Sequence, residues 1–291
     1  MKFIKILIIA CLFINFVACE NATTEPQTQE ILKDEKIISL SGFTTGLLYD
    51  LGYGKQLVGV DVTSVYPVQA NQLPKLGHIS QLNAEAILAL EPTVIFMEKM
   101  EQTPEAITQL EKAGVKIVAV PTSPYLYNAV NAANAIKKVI NVPTENVKKL
   151  QKSIEADSLQ LAKALETVEN KPKVLFIYAR GAGSLSVGGK KTKAAALIEK
   201  AGGVNAIQSF DDYETLTPES LIEGAPDAIL MFKSGLASLD GKSGLAQIPG
   251  ISQTPAFKND KIITIDGHYS LFGSEVSQGA IEIAKQLYEI E

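Results

Sequence analysis

The chain holds two histidines, His78 and His268, and each stands in a glycine-containing loop beside a predicted strand end. The first loop reads Leu76-Gly-His-Ile-Ser80 and the second Asp266-Gly-His-Tyr-Ser270. A neutral imidazole is a good ligand for iron, and iron held in a flat macrocycle accepts one axial ligand on each face. One histidine from each side of a cleft could grip such a group. A surface or satisfied-core role is the plain alternative for each. Arg180 is the only arginine, against 26 lysines, and it follows an apolar run directly. Its guanidinium suits a bidentate carboxylate partner, with a solvated loop charge as the simpler reading. Tyr66, Tyr213 and Tyr269 lie in predicted loops and could stack on a macrocycle or supply a phenolate; ordinary packing is the alternative for each.

Other chemistries find no support. Gly181-Ala-Gly183 follows a strand, but the third glycine of a dinucleotide fingerprint stands at Gly188, two residues late. Gly188-Gly189-Lys190-Lys191-Thr192 resembles a phosphate loop, yet its first position is Ser184. The sequence has no Gly-x-Ser-x-Gly elbow and no His-Glu-x-x-His, and two histidines are too few for a three-histidine zinc site, though carboxylates could complete one.

The elements that must position these residues come in two similar sets. Leu82-Asn-Ala-Glu-Ala-Ile-Leu-Ala-Leu-Glu-Pro-Thr-Val-Ile-Phe96 recurs as Leu216-Thr-Pro-Glu-Ser-Leu-Ile-Glu-Gly-Ala-Pro-Asp-Ala-Ile-Leu230, 134 residues later. Asn83 is a plausible N-cap, and Leu82, Ile87, Leu88 and Leu90 form one apolar face. Short apolar strands near 36–40, 56–60, 93–97 and 115–120 alternate with helices 43–51 and 103–113. The second half restarts at strand 173–179, followed by helix 192–201, strand 261–265 and helix 275–290. Strands alternating with helices predict an α/β fold of two Rossmann-like lobes with parallel sheets. Between them, Val147, Leu150, Ile154, Leu161, Leu165 and Val168 recur at helical steps. They predict one amphipathic bridging helix of roughly 35–40 Å.

The N-terminus reads as a processing signal. Lys2 and Lys5 precede the apolar run Ile4–Val17, and Phe16-Val17-Ala18-Cys19 resembles a lipobox with Cys19 as the acylated residue. An ordinary signal peptide or a weak anchor is the alternative. The expected organisation is a signal peptide at 1–18, a polar tether at 19–35, an N-terminal α/β lobe at 36–142, the bridging helix at 143–169 and a C-terminal α/β lobe at 170–291. After cleavage, 25 basic residues face 32 acidic ones, a net charge of -7 that suits nucleic acid poorly. With Cys11 removed, no disulfide within one chain can form. The expected place is the cell envelope, facing the periplasm or otherwise outside the cytoplasm, with membrane contact through the lipid only.

Several phrases together give the sequence a family likeness. They are Ile38-Ser-Leu-Ser-Gly42, Asp61-Val-Thr-Ser-Val-Tyr-Pro67, Leu73-Pro-Lys-Leu-Gly-His78, the duplicated Glu85 and Glu219 phrase, Ala201-Gly-Gly-Val-Asn205 and Asp266-Gly-His-Tyr269. Over about residues 36–290 the chain resembles the haem-binding branch of class III substrate-binding proteins of ABC importers. The resemblance implies haem held between the lobes as transported ligand, delivery to a permease and its ATPase, no enzymatic turnover and a monomer. It implies His78 as the main iron ligand, where family members commonly carry tyrosine in a Gly-Tyr-Met-Arg phrase, here Gly77-His78-Ile79-Ser80. His268 is then the opposite ligand or a pocket neighbour, and Arg180 with nearby lysines takes the propionates. It further implies that Glu85 and Glu219 dock on basic pockets of the permease. A cobalamin or ferric-siderophore binder of the same class is the runner-up, and a small-substrate enzyme on the same scaffold the remote one.

Overall fold

A computed structural model describes residues 35–290; the signal, Cys19 and most of the tether lie outside the described residues. The first lobe is built from β1 (Ile37–Ser39), α1 (Gly42–Asp50), β2 (Leu57–Val60), α2 (Ala84–Leu88), β3 (Val94–Glu98), α3 (Glu105–Lys112), β4 (Lys116–Val120) and α4 (Asn128–Lys137). Its sheet runs β2-β1-β3-β4, parallel throughout. Strand alternation feeds two cores. Ile37, Val94 and Phe96 pack with Phe43, Leu47 and Ala133 on one face, while Ile38, Ile95 and Met97 pack with Ile87, Ile107 and Leu110 on the other.

Helix α5 (Thr144–Ala164) follows, 21 residues or about 30 Å, shorter than its apolar spacing suggested because Leu165 ends it. Val147, Leu150 and Ile154 enter the first lobe's core, and Leu161 enters the second's. One rigid element therefore belongs to both cores.

The second lobe contains β5 (Lys173–Ala179), β6 (Leu185–Gly188), α6 (Lys193–Lys200), β7 (Val204–Asn205), β8 (Tyr213–Thr215), α7 (Pro218–Gly224), β9 (Ala228–Phe232), α8 (Lys233–Ala237), α9 (Lys242–Leu245), α10 (Pro255–Lys258), β10 (Ile262–Ile265) and α11 (Val276–Tyr288). Its sheet runs β10-β9-β5-β6-β8, with β7 pairing the start of β5. Here the structure differs from an all-parallel expectation. β10, β9, β5 and β7 are parallel, whereas β6 pairs antiparallel to β5, and β8 to β6. The cause is a tight turn: Arg180 N–H donates to Ser184 O at 3.0 Å, and Ser184 N–H to Gly181 O at 3.1 Å. Gly181 adopts φ +82°, a conformation that glycine reaches without strain. Among the described residues no helix is long and apolar enough to cross a membrane.

The duplicated phrase folds as matching caps. Asn83 Oδ1 accepts from Ala86 N–H at 3.0 Å, and Thr217 and Ser220 form a reciprocal capping box on α7. At the fourth helical position Ile87 and Leu221 are both buried. At the fifth, Leu88 and Ile222 are 37% and 78% exposed, so Leu88 leaves the apolar face assigned to it. A helix of five residues buries one narrow stripe, and Ile87 already occupies it.

Candidate functional site

A cavity of about 1490 Å³ opens between the lobes, larger than the roughly 300–1,000 Å³ of ordinary small-molecule sites. Val62, Val65, Tyr66 and His78 line it from the first lobe; Phe176, Tyr178, Arg180, Tyr213, Phe232 and His268 line it from the second. The first-lobe wall is carried by the long 61–77 loop, which the chain ties down firmly. Buried Asp61 accepts from the Thr63 N–H and hydroxyl and from Ser64 Oγ, while Lys75 Nζ donates to Ser64 O and Ala70 O. Val62 N–H donates to Gly77 O at 3.1 Å, which fixes the approach to His78. The loop's order is thus built from internal hydrogen bonds.

His78 is exposed and caps a short 3-10 turn, Ile79–Gln81. Its Nδ1 lies 2.8 Å from Ser80 Oγ and 3.3 Å from Ser80 N. The Nε2 edge has no partner among the described hydrogen bonds and ion pairs, so it is the nitrogen available to a ligand.

The second-lobe wall is set by β5. Alternation places Phe176 and Tyr178 on the cavity side, with Leu175, Ile177 and Ala179 in the opposite core. Arg180 continues the cavity-facing register. Its Nε donates to Tyr178 Oη at 2.8 Å, and the guanidinium carbon lies 5.3 Å from that ring's centroid. Phe232 meets Phe176 and Tyr178 edge-on at 5.0 and 5.9 Å, and Tyr213 meets Phe176 at 6.3 Å. Burial raises the Tyr213 phenol pKa. This aromatic wall, with exposed Val62 and Val65 on the other lobe, is suited to a flat apolar body.

Charge collects on the second lobe. Lys191 pairs with Asp211 at 2.6 Å, and Lys193 reaches across to Glu98 of the first lobe at 3.4 Å. Among the described residues no carboxylate lies within ion-pair distance of Arg180, so its outer nitrogens are free for an anionic ligand group.

His268 is brought to the cavity with its Nε2 engaged. Nε2 lies 3.1 Å from Glu275 Oε2, and the ring stacks on Tyr66 with centroids 4.0 Å apart and planes 7° apart. Tyr66 Oη donates to the other oxygen, Glu275 Oε1, at 2.9 Å. The bond from His268 and then that from Tyr66 hold the Glu275 carboxyl below the ordinary carboxylate value, against burial. Burial, aided by Glu275, raises the Tyr66 phenol far above its ordinary value, so Tyr66 is a proton donor here and not a phenolate. Asp50, nearby, keeps an exposed edge, yet the packing about its carboxyl and the Glu275 charge push it up to about 6. Tyr269 is absent from the cavity lining: its ring packs on Gly279 of α11, where a Cβ would lie 2.5 Å from it.

Five of the six residues expected at the cleft, His78, His268, Arg180, Tyr66 and Tyr213, meet at one cavity. Tyr178 was not among them. It sits inside an apolar run that reads as buried strand, and the available signal was a tyrosine two residues before the sole arginine. Such a pair shares one strand face.

The family model described as periplasmic binding protein matches residues 37–269. An uncharacterised ABC transporter substrate-binding lipoprotein of Bacillus subtilis, YvrC, is 24% identical over 266 residues, covering 87% of this chain and 80% of its own. The periplasmic haem-binding protein RhuT of Roseiflexus sp. RS-1, solved without ligand, superposes with a TM-score of 0.82 at 32% identity, covering 88% and 98% of the two chains. The haem-binding protein HmuT gives a TM-score of 0.77 at 29% identity over 87% and 84%. HmuT has also been solved with a histidine, a tyrosine and an arginine each replaced by alanine; that tyrosine and arginine stand two positions apart, the spacing of Tyr178 and Arg180.

Proposed function

The chain belongs to the periplasmic binding protein family, and from that premise we propose that it captures haem between its lobes and delivers it to an ABC importer. The observation that carries this reading is the Tyr178–Arg180 pair on the second lobe, in a cavity to which the first lobe brings the available imidazole of His78. In this reading the iron is held by His78 Nε2 on one face and Tyr178 Oη on the other. In the tautomer whose Nδ1–H donates to Ser80 Oγ, the Nε2 lone pair of His78 is left for the metal. Arg180 offers a fixed cation to the oxygen that becomes a phenolate, which lowers the cost of losing the phenol proton. Phe176, Phe232, Val62 and Val65 supply apolar contact to the macrocycle, and the outer nitrogens of Arg180, with Lys191, suit the propionates. We assign His268 as the pocket neighbour rather than the opposite ligand, its Nε2 held by Glu275 and its ring face by Tyr66.

Delivery is proposed through Glu85 and Glu219. Both are exposed, at the second position of α2 and α7, and each is followed three residues later by an exposed aliphatic side chain, Leu88 or Ile222. Two matched acidic points suit a permease dimer with a cationic recess on each subunit. We place the protein outside the cytoplasm as a monomeric lipoprotein tethered through Cys19, with carriage rather than turnover as its role.

The test is a hemin titration of wild type, His78→Ala and Tyr178→Phe, followed in the Soret region, with cyanocobalamin as competitor. Wild type should bind one-sidedly in favour of hemin, and each variant should shift the Soret maximum and weaken binding at least tenfold. Unchanged titrations in both variants, or displacement by cyanocobalamin at equal concentration, would overturn the reading.

A further inference from the structure

We infer that Tyr66, Glu275 and His268 form a clasp that fixes the separation of the two lobes, and that His268 is a positioning residue. Tyr66 and Glu275 are separated by 209 residues and belong to different lobes. One carboxylate receives both contacts, Tyr66 Oη at 2.9 Å on one oxygen and His268 Nε2 at 3.1 Å on the other. The two rings lie flat on each other at 4.0 Å, so the carboxylate fixes both donors and the stack fixes their planes. The side chains of His268 and Glu275 are only 16% and 31% exposed, which shields the contact from competing water.

The clasp is part of a wider crossing. Asn128 of the first lobe donates through Nδ2 to the carbonyl of Phe272 at 3.2 Å, and both are buried. Phe272 takes φ +58°, a left-handed conformation uncommon for a bulky side chain, and the buried ring and the Asn128 bond hold it there. Gly42 opens α1 where a Cβ would come within 3.0 Å of Leu271 Cδ1 and of Thr63 O. A Cβ there would crowd the Leu271 side chain of the second lobe's 268–276 segment, which glycine leaves seated against α1. A cross-lobe ion pair, Lys193–Glu98 at 3.4 Å, is partly exposed and is worth little alone.

Two lobes joined at α5 alone could swing. With the 268–276 segment seated on the first lobe, the separation between the His78 loop and the end of β5 is set before any cargo arrives. The clasp sets the empty protein's geometry whatever the cargo.

The test uses the full chain with Cys11 and Cys19 replaced by serine and spin labels on cysteines at Lys112 and Lys258, exposed positions on different lobes. Inter-label distances are measured without ligand in otherwise unaltered protein, Tyr66→Phe, Glu275→Gln and His268→Gln. Tyr66→Phe and Glu275→Gln should each broaden the distance distribution about twofold. His268→Gln should broaden it less, since an amide can still donate to Glu275. With hemin bound, these variants should keep the Soret maximum and release haem to apomyoglobin about tenfold faster. Distributions matching the parent in both Tyr66→Phe and Glu275→Gln overturn the clasp. A shifted Soret maximum in His268→Gln returns that residue to the iron. If one of the two clasp variants lacks the parent's far-ultraviolet circular dichroism, the other decides. Failure of hemin to bind at all would count against the cargo and leave the distance comparison intact.

Discussion

Replacing Arg180 tests the link between the cavity's one unpaired guanidinium and the iron. The Nε to Tyr178 Oη distance of 2.8 Å is that of a charge-assisted bond once the phenol has given its proton to solvent and its oxygen to iron. Hydrogen bonds to charged groups contribute about 1.5–3 kcal/mol. Arg180 is exposed and Tyr178 half-buried, so solvent screening favours the lower end, about 1.5 kcal/mol. The guanidinium's position 5.3 Å from the ring centroid belongs to the same contact and is not added again. Arg180→Ala should therefore weaken hemin binding about tenfold. It should also move the phenolate-to-iron charge-transfer band, because the oxygen loses its donor while keeping its metal. Arg180→Lys should restore less than half of the loss in free energy, since an ammonium cannot reproduce a planar N–H aimed along the strand. The measurement is a hemin titration with full visible spectra, joined to transfer kinetics to apomyoglobin. Affinity and band both unchanged in Arg180→Ala would refute the coupling. Affinity lost with the band fixed, and fully restored by lysine, would assign Arg180 to the propionates alone.

Three further outcomes follow from the same geometry. Glu85→Lys with Glu219→Lys should leave the Soret titration unchanged and reduce stimulation of the importer's ATPase in nanodiscs at least tenfold; undiminished stimulation would remove the docking assignment. Asp50 has a folded carboxyl near 6 against an ordinary 3.8, so the folded state holds an extra proton between those values and stability falls as pH rises through that window. Asp50→Asn should then gain about 1 kcal/mol at pH 7, a figure reduced for the group's exposed edge, and gain nothing at pH 3.5, as read by urea melts. Ile154→Ala removes a fully buried contact of α5 with the first lobe and should cost about 2–5 kcal/mol in the same melts, with the Soret maximum of the folded fraction unchanged.

Most of the architecture was legible because it rests on local rules. The duplicated phrase carries an N-cap, a buried aliphatic residue four positions on and a following apolar strand, and each copy folds on those signals. Departures arise where a segment is too short to carry a period. β6 and β8 span four and three residues, so the antiparallel edge of the second sheet left no pattern to read. Leu88 was placed on an apolar face that a five-residue helix does not have room to bury.

The site divides along a different line. Rarity drew attention to His78, His268 and Arg180, and all three line the cavity. Rarity counts residues, however, and does not show how a ring is held. That depends on what stands beside it, and the partners of His268 come from seven residues onward and from the other lobe. Tyr178 was hidden for the converse reason: its neighbours in sequence are apolar, but pleating turns it with Phe176 toward the cavity and lines it up with Arg180. A strand-end tyrosine and arginine two apart is thus a local signal for a paired site. An imidazole's availability is not local, because a contact such as Tyr66 to Glu275 is specified only when both lobes are already folded against α5.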